Sequence, residues 1–355
     1  MTSLNLMCAL FDGNRPMGRR MGVRLSPGKR KRLEAVSDSR GVIGALAIDQ
    51  RDALRSLFSV ESKMEKSLVP RERLEEFKSI VVRALSPYAS AVLLEPEYGL
   101  HAAAQRASSS GLLMAYEISG YDPAVPFRFP RLLERWSVRR LVDAGAQSIK
   151  ALLYYALSDP PEIQERKRVW VERVGSECAG CDVPFFLEVV PYEGGMDEKS
   201  PQFARSKPAI LMSAMQEFSK DAYGVDVLKV GVPVTMAYVE GSSASSGTFV
   251  HTRAEALDLF RNAAAVTTKP FLFLSAGVSN RAFNEALRMA GEAGVHFCGV
   301  LCGRATWKDG VGVFVRGGAN ALREWLENQG VQNMRSINES LKAATSWWKN
   351  YPADE

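Results

Sequence analysis

Short runs that are apolar at nearly every position alternate along this chain with longer stretches whose apolar residues recur every three or four positions. The short runs cover residues 42–48, 89–94, 112–116, 148–154, 184–190, 225–230, 271–274 and 297–301, eight in all. Continuous apolarity leaves no solvated face, so each reads as a strand covered on both sides, as in a parallel sheet. The amphipathic stretches predict helices over 71–85, 102–109, 130–144, 161–177, 209–222, 253–265, 281–293, 320–328 and 336–349. Eight strand–helix units close most simply into a single (β/α)8 TIM barrel of the α/β class. The competitor is an open doubly wound sheet, but no GxGxxG follows the first strand and no Walker motif occurs.

Charged residues interrupt three of these apolar runs. Lys229 stands inside Val225-Asp226-Val227-Leu228-Lys229-Val230, Glu188 inside Phe185-Phe186-Leu187-Glu188-Val189, and Lys150 begins an alternating series with Leu152 and Tyr154. A buried ammonium costs several kcal/mol unless it is paired or loses its proton, and a lysine that has lost its proton is an amine nucleophile for a carbonyl carbon. On the functional reading, Lys150 is a second cation that depresses the pKa of Lys229, and Glu188 shuttles protons from a raised pKa. Asp49 sits across the pocket as a base or hydrogen-bond acceptor. The alternative is a Lys–Glu–Lys ionic network that fills the barrel. Gln50, Arg51 and Glu117 fall at the carboxyl ends of the first and third strands, where barrel enzymes keep their active sites. Strand seven runs into Ser275-Ala276-Gly277 and strand eight into Gly303-Arg304, small residues and a guanidinium suited to a phosphate.

Composition narrows the class further. The 355 residues are 46% hydrophobic and 24% charged with a net charge of +5, ordinary for a soluble globular protein. Much of the positive excess lies in an N-terminal extension over residues 1–30 (Arg15, Arg19, Arg20, Arg24, Lys29, Arg30), read as a solvated arm before a barrel domain over 31–350. No signal peptide and no membrane-length apolar segment is evident, so neither a membrane nor a nucleic acid is expected as a partner. Five cysteines without an export signal suggest reduced thiols in the cytoplasm, and Cys178-x-x-Cys181 reads as incidental. Three histidines are too few for a zinc mechanism or a Ser-His triad, so no cofactor or metal is expected. The Ser-rich segment 241–247 predicts a mobile loop over the site. Trp347-Trp348 predicts a terminal helix face docked on the barrel or on a partner subunit.

From about Lys31 to Trp348 the chain resembles the class I tagatose-1,6-bisphosphate aldolases. The resemblance rests on Asp49-Gln50-Arg51, Leu94-Glu95-Pro96-Glu97-Tyr98-Gly99-Leu100, Ala115-Tyr116-Glu117 with Gly120-Tyr121-Asp122, and Leu152-Leu153-Tyr154-Tyr155. It continues through Pro184-Phe185-Phe186-Leu187-Glu188, the Lys229 strand, Leu274-Ser275-Ala276-Gly277-Val278-Ser279 and Cys302-Gly303-Arg304-Ala305-Thr306-Trp307. It implies a metal-free Schiff-base aldolase that cleaves a ketohexose 1,6-bisphosphate to dihydroxyacetone phosphate and glyceraldehyde 3-phosphate. Lys229 would be the Schiff-base lysine, Glu188 the acid/base, and Asp49 and Lys150 substrate contacts. Ser275, Gly277, Gly303 and Arg304 would hold phosphate, and a homo-oligomer, a dimer by preference, is implied. The chain departs from the family at Gly231, where many relatives carry Glu, at Ala156, and over the first 30 or so residues. A related aldolase for 6-deoxy-6-sulfofructose 1-phosphate and a non-catalytic sugar-phosphate sensor are the competing functions.

Overall fold

The structure is a computed structural model that describes residues 24–351 apart from 119, 122–124 and 246. Arg15, Arg19, Arg20, Asp122 and Ser246 therefore lie outside the described residues. Eight parallel strands close a barrel in chain order, and the last pairs back onto the first. They are β1 (Ile43–Ala47), β2 (Ala91–Leu94), β3 (Gly111–Ala115), β4 (Ser148–Tyr155), β5 (Phe185–Pro191), β6 (Val227–Gly231), β7 (Phe271–Leu274) and β8 (Gly299–Cys302). Every strand expected from the pattern is present, within a few residues of its predicted ends.

The helices depart further from the pattern. Three were not foreseen: α1 (Pro27–Ala35), α2 (Asp52–Ser62) and the single turn over Arg304–Trp307. Next come α3 (Arg71–Leu85), α4 (Leu100–Ala104), α5 (Val138–Asp143), α6 (Pro161–Gly180) and α7 (Pro201–Phe218). Then follow α8 (Arg253–Ala265), α9 (Asn280–Glu292), α10 (Arg304–Trp307), α11 (Gly310–Trp325) and α12 (Val331–Ser340). The helix expected over 130–144 is reduced to α5, so Trp136 lies outside it. The terminal helix ends at Ser340, and Trp347 and Trp348 stand in a separate short 3-10 turn.

Alternation along each strand divides the protein into two cores. Outward residues such as Leu46, Val92, Leu187 and Leu228 pack beneath the helices. Inward residues such as Ile43, Leu93, Leu113, Phe186 and Val227 fill the lower barrel. Leu33, Val36, Trp347 and Tyr351 join the inner core and plug the base. Polar contacts pin the plug: Lys29 Nζ lies 2.7 Å from Asp226 Oδ2 and Arg30 donates to the Tyr351 carbonyl at 2.8 Å. Trp347 Nε1 donates to Ser37 Oγ, also at 2.8 Å. The boundary expected between residues 30 and 31 thus falls inside α1, of whose basic side chains Lys29 and Arg30 pack against the barrel base while Lys31 is exposed.

Because Trp347 is fully buried at the end of the barrel remote from the strand carboxyl ends, Trp347→Ala should lower stability by about 3–5 kcal/mol. Catalytic constants measured on the folded fraction should not change. An unaltered urea midpoint would show that this ring does not hold the base closed.

Candidate active site

The inward register of the strands carries charged residues onto one another at the carboxyl end of the barrel. Glu188 on β5 is the register partner of Lys229 on β6, so their side chains leave the sheet side by side. Lys150 on β4 pairs with Ala115 on β3, two residues before Glu117, and Asp49 follows β1 directly. All five are buried.

Lys150 holds the cluster together. Its Nζ lies 2.6 Å from Glu117 Oε1, 2.7 Å from Glu188 Oε2 and 3.0 Å from Asp49 Oδ2. Glu188 Oε2 also accepts from Lys229 Nζ at 2.8 Å, so one oxygen serves both ammonium groups. Burial works against the Lys150 charge, but Asp49, Glu117 and Glu188 outweigh it and hold the ammonium well above its usual range. Burial likewise opposes ionisation of Asp49, yet Lys150 and then Lys229 keep that carboxyl below the ordinary aspartate range.

Lys150 is not a bare second cation beside Lys229, because carboxylates offset its charge on three sides. Nor is the Glu188 pKa raised: burial pushes it up, but Lys150 and Lys229 win and it lies lower than usual. The carboxyl that burial does push upward is Glu117, despite Lys150 and Arg51. Its Oε2 is buried without a partner among the described residues, as are Gln50 Oε1 and Arg51 Nε. Buried polar atoms rarely go unpaired, so these three are the free hydrogen-bonding positions of the site.

Arg51 is largely engaged. Nη1 meets Glu97 Oε2 at 2.6 Å and Nη2 donates to the Glu117 carbonyl at 2.7 Å, while Nε has no partner among the described residues. Gln50 Nε2 donates to Asp49 Oδ1 at 3.2 Å. Tyr154 stands at the mouth with its ring 5.1 Å from that of Tyr121, and burial followed by Glu188 pushes its hydroxyl up to about 12.

The loops after β7 and β8 meet across the barrel. Gly277 has φ +78°, and a Cβ there would sit 2.8 Å from Arg304 Cζ, so the guanidinium lies flat against the glycine backbone. Ala276 holds φ +48° without being glycine, a strain of the kind that functional loops retain. At Gly303 a Cβ would meet the Ala47 carbonyl at 2.5 Å and Gln50 Nε2 at 3.3 Å, so this loop abuts β1. Ser275, Ala276, Gly277, Gly303 and Arg304 are thus brought together beside the charged cluster.

The pattern reading missed the residues that extend the mouth. Arg128 forms an ion pair with Glu198 and lies over the rings of Tyr121 and Tyr192 at 4.2 and 4.6 Å. Lys207 lies on α7, ahead of the predicted helix start. Both lie well past the strand that precedes them, so a reading of strand ends could not find them. Cys178 and Cys302 are buried and free, with burial pushing the Cys302 thiol up to about 12, so neither is an activated nucleophile. Among the described residues no helix is long and apolar enough to cross a membrane.

A closed parallel barrel whose strand ends set a buried lysine against a carboxylate, beside a small-residue loop and an arginine, suits a lyase that makes and breaks carbon–carbon bonds next to a carbonyl. Residues 43–309 match the DeoC/LacD family aldolase, and the chain belongs to that family. It is 48% identical over 320 residues to tagatose 1,6-diphosphate aldolase 1 of Enterococcus faecalis, covering 90% of this chain and 96% of that protein. It is also 48% identical to aldolase 2 of the same organism, over 328 residues, 91% of this chain and 96% of the relative. Against tagatose 1,6-diphosphate aldolase 2 of Streptococcus pyogenes the identity is 44% over 329 residues, 92% and 99% of the two chains. The chain is an aldolase.

Removing the Lys150 ammonium would leave Asp49, Glu117 and Glu188 facing one another, so Lys150→Met should destabilise the fold by about 3–5 kcal/mol near neutral pH. Without that cation the carboxyls titrate above their unfolded values, so the deficit should be full at about pH 8 and shrink toward about pH 5 as they take up protons. Urea unfolding at both pH values checks this, and a pH-independent deficit would refute it.

Proposed function

We propose that the protein is a Schiff-base aldolase that cleaves a ketohexose 1,6-bisphosphate, tagatose 1,6-bisphosphate being the substrate its relatives' names favour. The observation that carries this reading is the Lys229–Glu188 pair, an amine and a carboxyl 2.8 Å apart in a buried, register-matched position. The reaction begins when the proton shared by the pair rests on Glu188, leaving the Lys229 amine free to add to the C2 ketone. Glu188 returns its proton to the carbinolamine hydroxyl, which leaves as water, and an iminium links Lys229 to C2.

Glu188, again a carboxylate, then takes the C4 hydroxyl proton. The C3–C4 bond breaks, its electrons flow into the iminium to give an enamine, and glyceraldehyde 3-phosphate departs. Glu188 protonates the enamine at C3. Water adds to the iminium, and dihydroxyacetone phosphate leaves as the amine and the protonated carboxyl are restored. Lys150 keeps Glu188 and Asp49 oriented through this cycle, and Asp49, Gln50 and Glu117 Oε2 are placed for substrate hydroxyls. The Ser275–Gly277 loop and Arg304 take the C1 phosphate. These carboxylates converge on the Lys150 ammonium.

Incubation with dihydroxyacetone phosphate followed by borohydride should leave one covalent adduct, on Lys229 by peptide mass spectrometry, equally with and without EDTA. Lys229→Met should abolish both the adduct and turnover, and Glu188→Gln should lower kcat about 10²–10⁴-fold. A folded protein that binds the phosphate yet is never trapped on Lys229 would sink the mechanism.

A further inference from the structure

A cavity of about 880 Å³ lies outside the charged cluster, lined by Gly231, Val234, Phe203 and Lys207 on one side and by Ser275 and Gly277 on the other. Gly231 is its threshold. It stands two residues past Lys229, roughly 7 Å along the strand, on the same inward register. A Cβ built there would meet nothing within 4 Å, so the end of β6 faces open space. That distance matches the reach of a ketose from C2 to a group on its terminal carbon.

The far wall carries a cation without a counter-charge among the described residues. Lys207 is partly buried, and its Nζ donates to the Val234 carbonyl at 3.1 Å. Among the described residues no carboxylate pairs with it, whereas the other buried lysines near the barrel mouth, Lys78, Lys150, Lys167 and Lys229, each have one. Burial pushes Lys207 down to about 8, as desolvation without a compensating anion must. Of the other cations lining the cavity, Arg128 is already paired with Glu198 and Lys199 is exposed at the rim. The position is held firmly. Pro208 follows Lys207 inside α7 and denies the Ala204 carbonyl its helical donor, and His251 Nε2 lies 3.4 Å from that oxygen in its place.

We propose that this cavity receives the far end of the sugar and that the Lys207 ammonium binds the phosphate on its terminal carbon. The inference rests on the aldolase reading above and adds to it a residue that distinguishes a bisphosphate from a monophosphate. The Lys229 chemistry and the loop after β7 engage only the ketose half, so they are indifferent to what the terminal carbon bears. Lys207 lies on a different element, on the other side of Gly231, and would be felt only by substrates that carry the second anion.

The test uses the full-length protein with Lys207→Met and Lys207→Arg, assayed on a ketohexose 1,6-bisphosphate and on the corresponding 1-phosphate. Lys207→Met should raise KM for the bisphosphate by about 10- to 100-fold. Its kcat, its KM for the 1-phosphate and its borohydride trapping by dihydroxyacetone phosphate should stay near wild type. Lys207→Arg should recover most of the bisphosphate affinity. If trapping is intact and the two substrates respond to Lys207→Met equally, or neither responds, this proposal alone is overturned. If the wild-type protein is not trapped at Lys229, the Schiff-base reading fails and this proposal falls with it.

Discussion

The ion cluster on Lys150 is the constraint around which the rest of the site is arranged. Four strands deliver it: β1 leads into Asp49, β3 toward Glu117, β4 bears Lys150 itself, and β5 bears Glu188. Taking such charges out of water costs several kcal/mol each, and an apolar replacement of equal volume would often be no less stable. Stability therefore does not explain why the cluster is here. What it provides is position. Glu188 Oε2 is held between two ammonium groups, and the Lys229 amine is fixed within hydrogen-bond distance of the carboxyl that exchanges protons with it.

That arrangement needs a barrel with two different halves. The lower half is a dry core of Ile43, Leu93, Leu113, Phe186, Val227 and Leu272, sealed by Trp347 and Tyr351. Small inward residues, Ala45, Ala47, Ala91 and Ala115, leave room above it for long charged side chains. The upper half then divides by element. β1 and the strands from β3 to β6 carry the ionic cluster, and the loops after β7 and β8 offer backbone and the Arg304 guanidinium. Gly277 and Gly303 are small because the arginine and the Ala47 carbonyl lie where a Cβ would have to go.

Strands were easy to read from the chain because burial on both faces makes them apolar throughout. Helices were harder wherever something other than an apolar stripe holds them. α1 buries only Leu33 and is fixed by basic side chains at the barrel base, so it showed no periodicity. α2 buries only Leu54 and Phe58. α7 was expected to start after Pro208, but the chain continues helically through that proline, which hid Lys207 on a helix face. The cluster members were legible because a charge in an apolar strand is conspicuous and the strand period fixes its direction. Their partners were not. No pattern shows that Arg51 is tied to Glu97 and Glu117, or that Glu188 is drawn below its usual range by sharing one oxygen with two lysines.

The most direct test is a crystal structure of the protein after reduction with borohydride in the presence of dihydroxyacetone phosphate. The predicted result is a bond from Lys229 Nζ to C2, the phosphate against the Ser275–Gly277 loop and Arg304, and Glu188 still bridging to Lys150. A sugar carbon bonded elsewhere, or a phosphate seated away from Arg304, would contradict the assignment of these residues to one active site.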